Sequence, residues 1–514
     1  MDGSSPESDG SGTGHGAARW WRPGTAAGRR WLVIGVCLAL GAAGLGGLVA
    51  ADRLWSAAPC DKEPTDITTS DYTLDFTVQS GAMPDPQFNG QAAKLHMHRV
   101  QPVYEHGRCS GTPARAAVLI HGRAISGSPA FDLKGKDQDG NKLSLQGGLA
   151  RAGIDTFVPD LLGYGESTRF TKGLDDPHNA SLRAYPSGST TCPYAEGCDR
   201  THNPIFPLDQ QGTRLATNPL AGKRYAHSSS MRFATTDTWV RDVRQAIDDA
   251  LAKAKPTSGK VTLLGYSLGG NRVGRTLYAA NPNPLLPNSA AYVAKVDRAV
   301  FVSSFFGGTK EEATPSGGFV TFPLVLGTRQ ALDAGAALKA GTSEADCSGH
   351  VIPGSLDEQW KELMQTDGGP GRKWGGTDPN HPDGLMRSPT FSTFGWNDEV
   401  AGQLSVPALV MQGADDAVIT PPTATRIYDV LPASVTNKVL VQIKCASHAL
   451  PNEGCSGSRC MPPSGQTAYG QAAGTSWAGP HQTLQAAVIE WITKGTFNGS
   501  ASGKFTVDRN GVVS

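Results

Sequence analysis

Short apolar runs alternate with amphipathic helical patterns along most of this chain, and this alternation constrains the fold more than any other feature. The runs lie at 116–120, 156–160, 260–264, 299–302, 408–411 and 438–443, and the helical patterns at 143–153, 238–253, 268–279 and 483–493. Strands that alternate with helices indicate βαβ units, whose parallel strands are covered by helices on both faces. The sequence therefore predicts an α/β fold with a mostly parallel central sheet.

Other segments frame this core. Segments 72–78 and 93–103 alternate polar and apolar residues and are predicted as two further strands. Two long stretches, 170–235 and 305–402, interrupt the rhythm, and loops of that length are uncommon unless they are functional. The predicted organisation is a linker at 52–70, a core in two parts at 71–304 and 403–497, a large inserted cap or lid at 305–402, and a C-terminal tail at 498–514 with a hairpin around Asn510-Gly511.

The N-terminal region predicts export. Residues 31–51 carry no charge and are apolar, and about 20 such residues suffice to cross a bilayer as a helix. Arginines precede this run, so residues 1–30 are predicted as a cytoplasmic polar leader and the remainder as extracytoplasmic. Arg29-Arg30 also resembles a twin-arginine signal, and 49–51 offers small residues for cleavage. A retained anchor, with membrane contact through 31–51, and a removed signal both stay open.

The cysteines agree with an oxidising compartment. The chain has nine, of which Cys37 lies in the apolar run and eight lie beyond it. An even number in an exported protein predicts disulfides, and the short spacings favour Cys192–Cys198 and Cys455–Cys460. Free buried thiols are the alternative. No C-x-x-C pair is present, so we expect no zinc site.

The charges exclude one class of partner. Lys and Arg together number 46, as do Asp and Glu, so the net charge is zero. A nucleic-acid-binding protein typically has a basic excess or stripe. We therefore expect no nucleic-acid partner.

One motif indicates a catalytic residue because of the elements predicted on either side of it. Gly265-Tyr266-Ser267-Leu268-Gly269 is a G-x-S-x-G that follows an apolar run and opens a helical pattern. This is the arrangement of a nucleophile elbow, in which a strained turn lifts the serine hydroxyl above the sheet. Ser267 is therefore the candidate nucleophile, and the alternative is a turn serine in an inactive protein.

A serine nucleophile needs a base, and the base needs an acid that orients it. His448 follows the run 438–443, and Asp416 follows the run 408–411. The chain order Ser, Asp, His is the order associated with this elbow. Asp415 remains an alternative acid and His481 an alternative base, although His481 precedes a helix.

Four sequence blocks resemble the α/β-hydrolase fold, serine-hydrolase branch, over roughly residues 70–495. They are Leu119-Ile-His-Gly-Arg123, Asp160-Leu-Leu-Gly-Tyr-Gly-Glu-Ser167, the elbow, and 413–421 with His448. The resemblance implies an oxyanion hole formed by the backbone N–H groups of Arg123 and Leu268. It also implies that no cofactor and no metal is needed.

Several polar residues near these blocks have other interpretations. His121 is expected to shape the oxyanion loop, and Asp160 and Glu166 to brace a loop. His96 and His98 alternate along a strand and should share one face, where a metal site is the alternative.

Two residues are candidates for substrate binding. The guanidinium of Arg123 is suited to a substrate carboxylate, and a structural ion pair is its other interpretation. Tyr266, inside the elbow, is the second candidate.

These residues predict an exported serine hydrolase that cleaves a carboxylic ester through an acyl-enzyme on Ser267. His448 would take the serine proton and donate it to the leaving alkoxide, while Asp416 holds the imidazole. The expected substrate is a small-molecule or lipid ester. A serine peptidase or aminopeptidase, an acyltransferase and a non-catalytic binding protein on the same scaffold remain alternatives.

Overall fold

The computed structural model describes residues 60, 63–83, 86–105, 113–137, 139–169, 234–311, 324–327, 329–343, 347–366, 386–388, 393–455 and 458–514. The chain divides into two units, Met1–Ala57 and Ala58–Ser514, and the described residues all belong to the second. The predictions for 1–30, 31–51 and Cys192–Cys198 lie outside them. Within the described ranges, no helix combines the length and apolar character needed to cross a membrane.

Nine of the strands form one sheet, as the alternation of runs and helices predicts. The strands are β1 (Asp66–Thr77), β2 (Ala92–Val103), β3 (Arg115–Ile120), β4 (Ile154–Pro159), β5 (Val261–Tyr266), β6 (Val296–Val302), β7 (Leu324–Gly327), β8 (Met386–Ser388), β9 (Ala408–Gly413), β10 (Lys438–Ile443) and β11 (Gly503–Val507). The sheet order is β1-β2-β4-β3-β5-β6-β9-β10-β11. β2 runs antiparallel to β1 and β4, and the other neighbours are parallel. The mostly parallel sheet is confirmed, and β7 and β8 form a separate antiparallel pair.

Helices connect these strands. They are α1 (Gly127–Phe131), α2 (Leu145–Arg151), α3 (Thr236–Ala254), α4 (Leu268–Thr276), α5 (Ser289–Val293), α6 (Arg329–Gly335), α7 (Ser355–Thr366), α8 (Asp398–Ala401), α9 (Pro421–Val430) and α10 (Pro480–Lys494). The longest, α3, begins with a capping box in which Thr235 and Thr238 exchange hydrogen bonds between side chain and backbone. The cap satisfies N–H groups that have no partner within the helix.

The sheet is buried on both faces, which explains why the strand sequences are continuous apolar runs. Val118 of β3 packs on the side of α3 with Trp239, whereas the next residue, Leu119, packs on the opposite side with Trp491 of α10. Successive side chains of a strand point to opposite faces. Every position of an inner strand therefore faces a helix layer.

The predicted linker 52–70 is wrong at its end, because β1 begins at Asp66. The residues from Asp66 to Asp71 are mostly exposed, and they pair with the second half of β2 at the edge of the sheet. Backbone hydrogen bonds hold this part of the strand, so it lacks the buried side chains that a sequence pattern reveals.

The tail 498–514 contains the predicted turn and one additional element. The Gly511 N–H donates to the Asp508 carbonyl at 3.0 Å, and Val507 and Val513 form an antiparallel bridge. The preceding residues form β11, which pairs in parallel with β10 as the last strand of the sheet. The sequence indicated the turn but not this strand.

The inserted cap reaches the C-terminal edge of the sheet through α7. Gln359 donates to the Pro129 carbonyl in α1 at 2.9 Å, and its own side-chain oxygen accepts from Asn452 at 3.0 Å. α1 follows β3 and Asn452 follows β10, so α7 lies over the ends of both strands. The predicted fold class, with an inserted cap, is confirmed.

Disulfides tie this edge together. Cys455–Cys460 is the predicted local pair and is confirmed. Cys347–Cys445, which the sequence did not indicate, joins the cap to the loop after β10 across 98 residues of sequence. Cys60 is disulfide-bonded as well. Structural disulfides persist in oxidising compartments and are typical of extracytoplasmic proteins.

Candidate active site

Ser267 occupies a strained turn between β5 and α4. Its φ of 54° lies in the left-handed region, which is costly for a residue with a side chain. Neighbouring strands hold the turn: Ser267 N–H donates to the Val302 carbonyl at 2.9 Å, and its carbonyl accepts from Phe305 N–H at 3.0 Å. A Cβ on Gly265 would lie 2.6 Å from the carbonyl carbon of Gly269, so the turn requires glycine there. The strand-turn-helix predicted for the motif is present.

The loop after β3 lies against this serine. A Cβ on Gly122 would lie 3.0 Å from the Cβ of Ser267 and 3.5 Å from its Oγ. Arg123 follows Gly122 directly, and Leu268 is the first residue of α4. Among the described residues, no acceptor takes the Leu268 N–H, as expected in the first turn of a helix. Leu268 and Gly122, the residue before Arg123, thus lie next to Ser267, and the oxyanion hole stays a prediction.

The structure brings Asp416 and His448 together. Nδ1 of His448 lies 2.9 Å from Oδ2 of Asp416, which is fully buried. An ionised carboxylate only accepts hydrogen bonds, so in the neutral imidazole Nδ1 carries the proton and Nε2 has the lone pair. Among the described residues, no group hydrogen-bonds to Nε2. This is the tautomer that a general base needs.

Four donors fix the Asp416 carboxylate. Besides His448, Gln412 donates to Oδ2 at 2.7 Å, and the N–H groups of Val418 and Ile419 donate to Oδ1 at 2.7 and 2.8 Å. The carboxylate therefore presents a fixed acceptor to the imidazole.

Tyr266 contacts the candidate base from the elbow itself. Its hydroxyl donates to the backbone carbonyl of His448 at 2.8 Å, and the two ring centroids are 5.3 Å apart. Burial, with the nearby Asp416 and Glu453 carboxyls, raises the pKa of the Tyr266 phenol. The hydroxyl thus holds the His448 backbone, and a role of Tyr266 in binding substrate stays a prediction.

The two alternative residues have other partners. Asp415 accepts from the Thr342 hydroxyl and the Cys445 N–H, both at 3.0 Å. His481 places Nδ1 2.8 Å from the Glu453 carbonyl and Nε2 3.0 Å from the Asp137 carboxylate. The structure therefore pairs His448 with Asp416 and places Asp415 and His481 in other contacts.

His121 braces the loop before Gly122. Its Nδ1 donates to the Gly122 carbonyl at 2.9 Å, and its Nε2 accepts from the Leu161 N–H at 3.0 Å. One nitrogen must donate while the other accepts, so the ring is neutral. Burial lowers the pKa of His121 to about 4, against the opposing effects of Asp160 and the Gly122 carbonyl.

Asp160 braces its loop, as the sequence predicts. Its carboxylate accepts from the N–H groups of Gly127 at 2.7 Å and Glu166 at 2.9 Å, and it lies 3.0 Å from Nδ1 of His96. The Glu166 side chain lies 3.2 Å from the other nitrogen of His96.

His96 and His98 do share a face of β2, but acidic side chains occupy it. Nδ1 of His98 lies 2.7 Å from Asp71, and Nε2 lies 3.0 Å from Asp132. Burial alone would lower the pKa of His98, but hydrogen bonds to Asp132 and Asp71 outweigh it and raise the pKa to about 9. The pKa of His96 is likewise raised, chiefly by Asp160 against the effect of burial.

Arg272 is a residue of this region that the sequence reasoning missed. It is buried, donates to the Leu268 carbonyl at 2.7 Å, and stacks 4.5 Å from the Trp239 ring centroid. Burial lowers its pKa to about 10, so it remains a cation at neutral pH. Burial also lowers the pKa of the half-buried Arg123. The sequence feature that could have indicated Arg272 is its spacing from the elbow, because Arg272 lies one helical turn after Leu268.

Glu453, the second missed residue, has a fully buried side chain. Its carboxyl oxygens lie 2.8 and 3.1 Å from the Ser447 nitrogen, next to His448. No motif of the sequence indicates this contact.

The family can be assigned from the sequence. Residues 117–455 match the alpha/beta hydrolase family, and this range contains the elbow, Asp416, His448 and the inserted segment. The chain therefore belongs to the alpha/beta hydrolase family, and its broad class is that of a hydrolase.

The solved structures to which the chain shows similarity include three named proteins. The bromoperoxidase from Bacillus anthracis is 14% identical, with 72% of this chain and 93% of that chain covered and a TM-score of 0.35. The monoacylglycerol lipase from Paleococcus ferrophilus is 14% identical, with 78% and 99% covered and a TM-score of 0.35. The enol-lactonase from Burkholderia xenovorans LB400 is 15% identical, with 70% and 90% covered and a TM-score of 0.34. No curated protein matches the chain.

Proposed function

We propose that this hydrolase is an exported serine esterase that cleaves a carboxylic ester through an acyl-enzyme on Ser267. The observation that carries the proposal is the 2.9 Å contact between His448 Nδ1 and Asp416 at the edge of the sheet where Ser267 occupies its strained turn. A hydroxyl on such a turn, together with an imidazole whose Nδ1 is held by a carboxylate, supports nucleophilic acyl transfer.

Each residue has a defined role in this mechanism. Ser267 Oγ attacks the ester carbonyl while His448 Nε2 takes its proton, and the N–H groups of Leu268 and Arg123 stabilise the oxyanion. His448 then gives the proton to the leaving alkoxide, which departs as the alcohol. A water molecule activated by His448 hydrolyses the acyl-enzyme and releases the carboxylic acid.

The substrate is proposed to be a small-molecule or lipid ester. The Arg123 side chain, beside the oxyanion loop, supports a preference for esters that also carry a carboxylate, because a guanidinium binds carboxylates bidentately. Arg123→Met should then weaken kcat/KM for a succinate half-ester more than for the matching butyrate ester. Equal losses for both esters would remove Arg123 from substrate recognition.

Export is part of the proposal and is supported by the disulfides and by the apolar segment 31–51. In cells, a membrane-impermeant protease should digest the protein without lysis. Protection of the intact chain until lysis would contradict export.

A fluorophosphonate probe tests the nucleophile. The full chain should be labelled, Ser267→Ala should not, and the matched control Ser258→Ala, at an exposed serine, should be labelled like the wild type. Label on Ser267→Ala would mean that another residue is the nucleophile, and no label on any chain would favour a binding protein. A panel of esters and peptides then decides between esterase and peptidase.

A further inference from the structure

A buried carboxyl group lies directly behind the turn that carries His448. Both side-chain oxygens of Glu453 are within hydrogen-bond distance of the Ser447 N–H, at 2.8 and 3.1 Å. Ser447 immediately precedes His448, and its N–H is buried away from water. The acceptor for this N–H is therefore a side chain, and removing it would leave a buried donor without a partner.

We propose that Glu453 is a positioning residue that holds the His448 turn in its catalytic geometry. The inference rests on the proposed function, since it takes His448 as the base. Asp416 fixes the imidazole ring from one side. Glu453 fixes the backbone that carries the ring, so the two carboxyl groups determine different degrees of freedom of one side chain.

The backbone of Glu453 is itself anchored, which a positioning residue requires. The His481 N–H at the start of α10 donates to the Glu453 carbonyl at 3.0 Å. On the other side, Val351 of the cap forms an antiparallel bridge with Glu453, and the Gly454 N–H donates to the His350 carbonyl at 2.7 Å. The contacts of Glu453 therefore connect the His448 turn to α10 and to the cap.

The surroundings of Glu453 favour its neutral form. Burial raises the pKa of Glu453 to about 8, with Asp416 and Asp415 acting in the same direction and the Ser447 contacts opposing it. The nearest cationic candidate, Nε2 of His350, is 3.8 Å away and donates to the Ala336 carbonyl at 2.9 Å. Among the described residues, the ionisable groups that contact Glu453 or interact with its charge are Tyr266, His350, Asp415, Asp416 and His481, and His448 is the residue after Ser447.

Two substitutions separate positioning from packing. Glu453→Gln keeps an oxygen that can accept from the Ser447 N–H but cannot ionise, whereas Glu453→Ala removes the acceptor. We expect Glu453→Ala to lose about 10-fold or more in kcat with little change in KM, because a displaced base weakens catalysis rather than binding. We expect the wild-type pH profile of kcat to contain an ionisation near pH 8, and we expect Glu453→Gln to retain its activity at pH 6.5 and to lack this ionisation.

The matched control is Glu362→Gln. Glu362, on α7, is a buried carboxyl whose pKa burial raises to about 7, but it makes no described contact with the His448 turn. This variant should keep the wild-type ionisation near pH 8. If Glu453→Ala does not fold, the profile of Glu453→Gln alone decides.

Specific results would overturn the inference. Wild-type kcat in Glu453→Ala would do so, and so would a Glu453→Gln profile that still shows the ionisation near pH 8. Fluorophosphonate labelling distinguishes failure of the proposed function from failure of the role of Glu453 alone. If the wild type is not labelled, the proposed function fails, whereas equal labelling rates in the wild type and Glu453→Ala overturn only the role of Glu453.

Discussion

Gly122 and Ser267 approach each other so closely that a Cβ on Gly122 would lie 3.0 Å from the Cβ of Ser267. The loop after β3 and the nucleophile turn therefore pack against each other at Gly122, and Arg123 is the next residue of that loop. Gly122→Ala should push the loop away from Ser267 by a few tenths of an ångström. We expect kcat/KM for an ester to fall by roughly 10-fold or more, because catalysis is sensitive to small displacements of reacting groups.

The control for this change is Gly335→Ala, where an added Cβ meets no atom within 4 Å. It should keep wild-type kinetics and stability. Unchanged kcat/KM in Gly122→Ala would show that the loop does not contribute to the oxyanion site.

Asp416→Asn tests the orientation of the base. The amide keeps the size of the side chain, but it no longer presents the charge that favours the Nδ1–H tautomer and stabilises the imidazolium. We expect kcat to fall by about 10⁴-fold, the size of the effect in serine proteases, with KM little changed. Steady-state ester hydrolysis measures both.

Asp415→Asn is the matched control at the neighbouring position. The amide oxygen can still accept from the Cys445 N–H, and the amide NH2 can donate to the Thr342 hydroxyl, so kcat should stay within a few-fold of the wild type. The reverse order of effects would make Asp415 the acid.

The His98 contacts predict a pH-dependent stability. The pKa of about 9 in the folded chain exceeds the ordinary value of about 6.5. His98 therefore stabilises the fold fully below pH 6.5, and this contribution is lost as the pH rises through about 9. Its upper limit is about 3 kcal/mol.

The measurement is the free energy of unfolding in urea for the wild type and His98→Gln between pH 6 and pH 10. Their difference should shrink over this range. Glu453 and Glu362 are also expected to titrate between pH 6 and pH 10. Both proteins contain these residues, so their contributions to the free energy of unfolding cancel in the difference. A difference that does not vary with pH would contradict a cationic His98.

The sequence predicted the inner sheet well because its strands are buried on both faces. β10 covers the same residues, Lys438–Ile443, as its apolar run. The strands at the two edges of the sheet were harder to predict from the sequence. β1 begins in exposed residues, and β11 lies in a tail whose sequence indicates a turn. Backbone pairing places these strands, and it leaves little trace in the side-chain pattern.

The candidate triad was predictable for a related reason. Ser267, Asp416 and His448 each follow a strand, and the ends of parallel strands meet at one edge of a sheet. The contacts of Arg272 with Trp239 and of Glu453 with Ser447 belong to no sequence motif. Glu453 reaches Ser447 only because a short helical turn folds the chain back, which no local pattern encodes.

We expect the Cys347–Cys445 disulfide to stabilise the fold more than the Cys455–Cys460 disulfide does. It closes 98 residues of chain and joins the cap to the loop that leads to His448, whereas Cys455–Cys460 closes only 5. A disulfide restricts the unfolded chain more when its loop is longer, and the two loops differ by about 2–3 kcal/mol in the chain-entropy model. Replacing both Cys347 and Cys445 with Ser should therefore lower the free energy of unfolding by this amount more than replacing Cys455 and Cys460. Urea unfolding without reductant measures both, and ester hydrolysis shows whether the His448 loop has moved. Equal losses of stability would mean that the cap is held mainly by its other contacts, such as the bonds from Lys339 and Thr342 to Asp415.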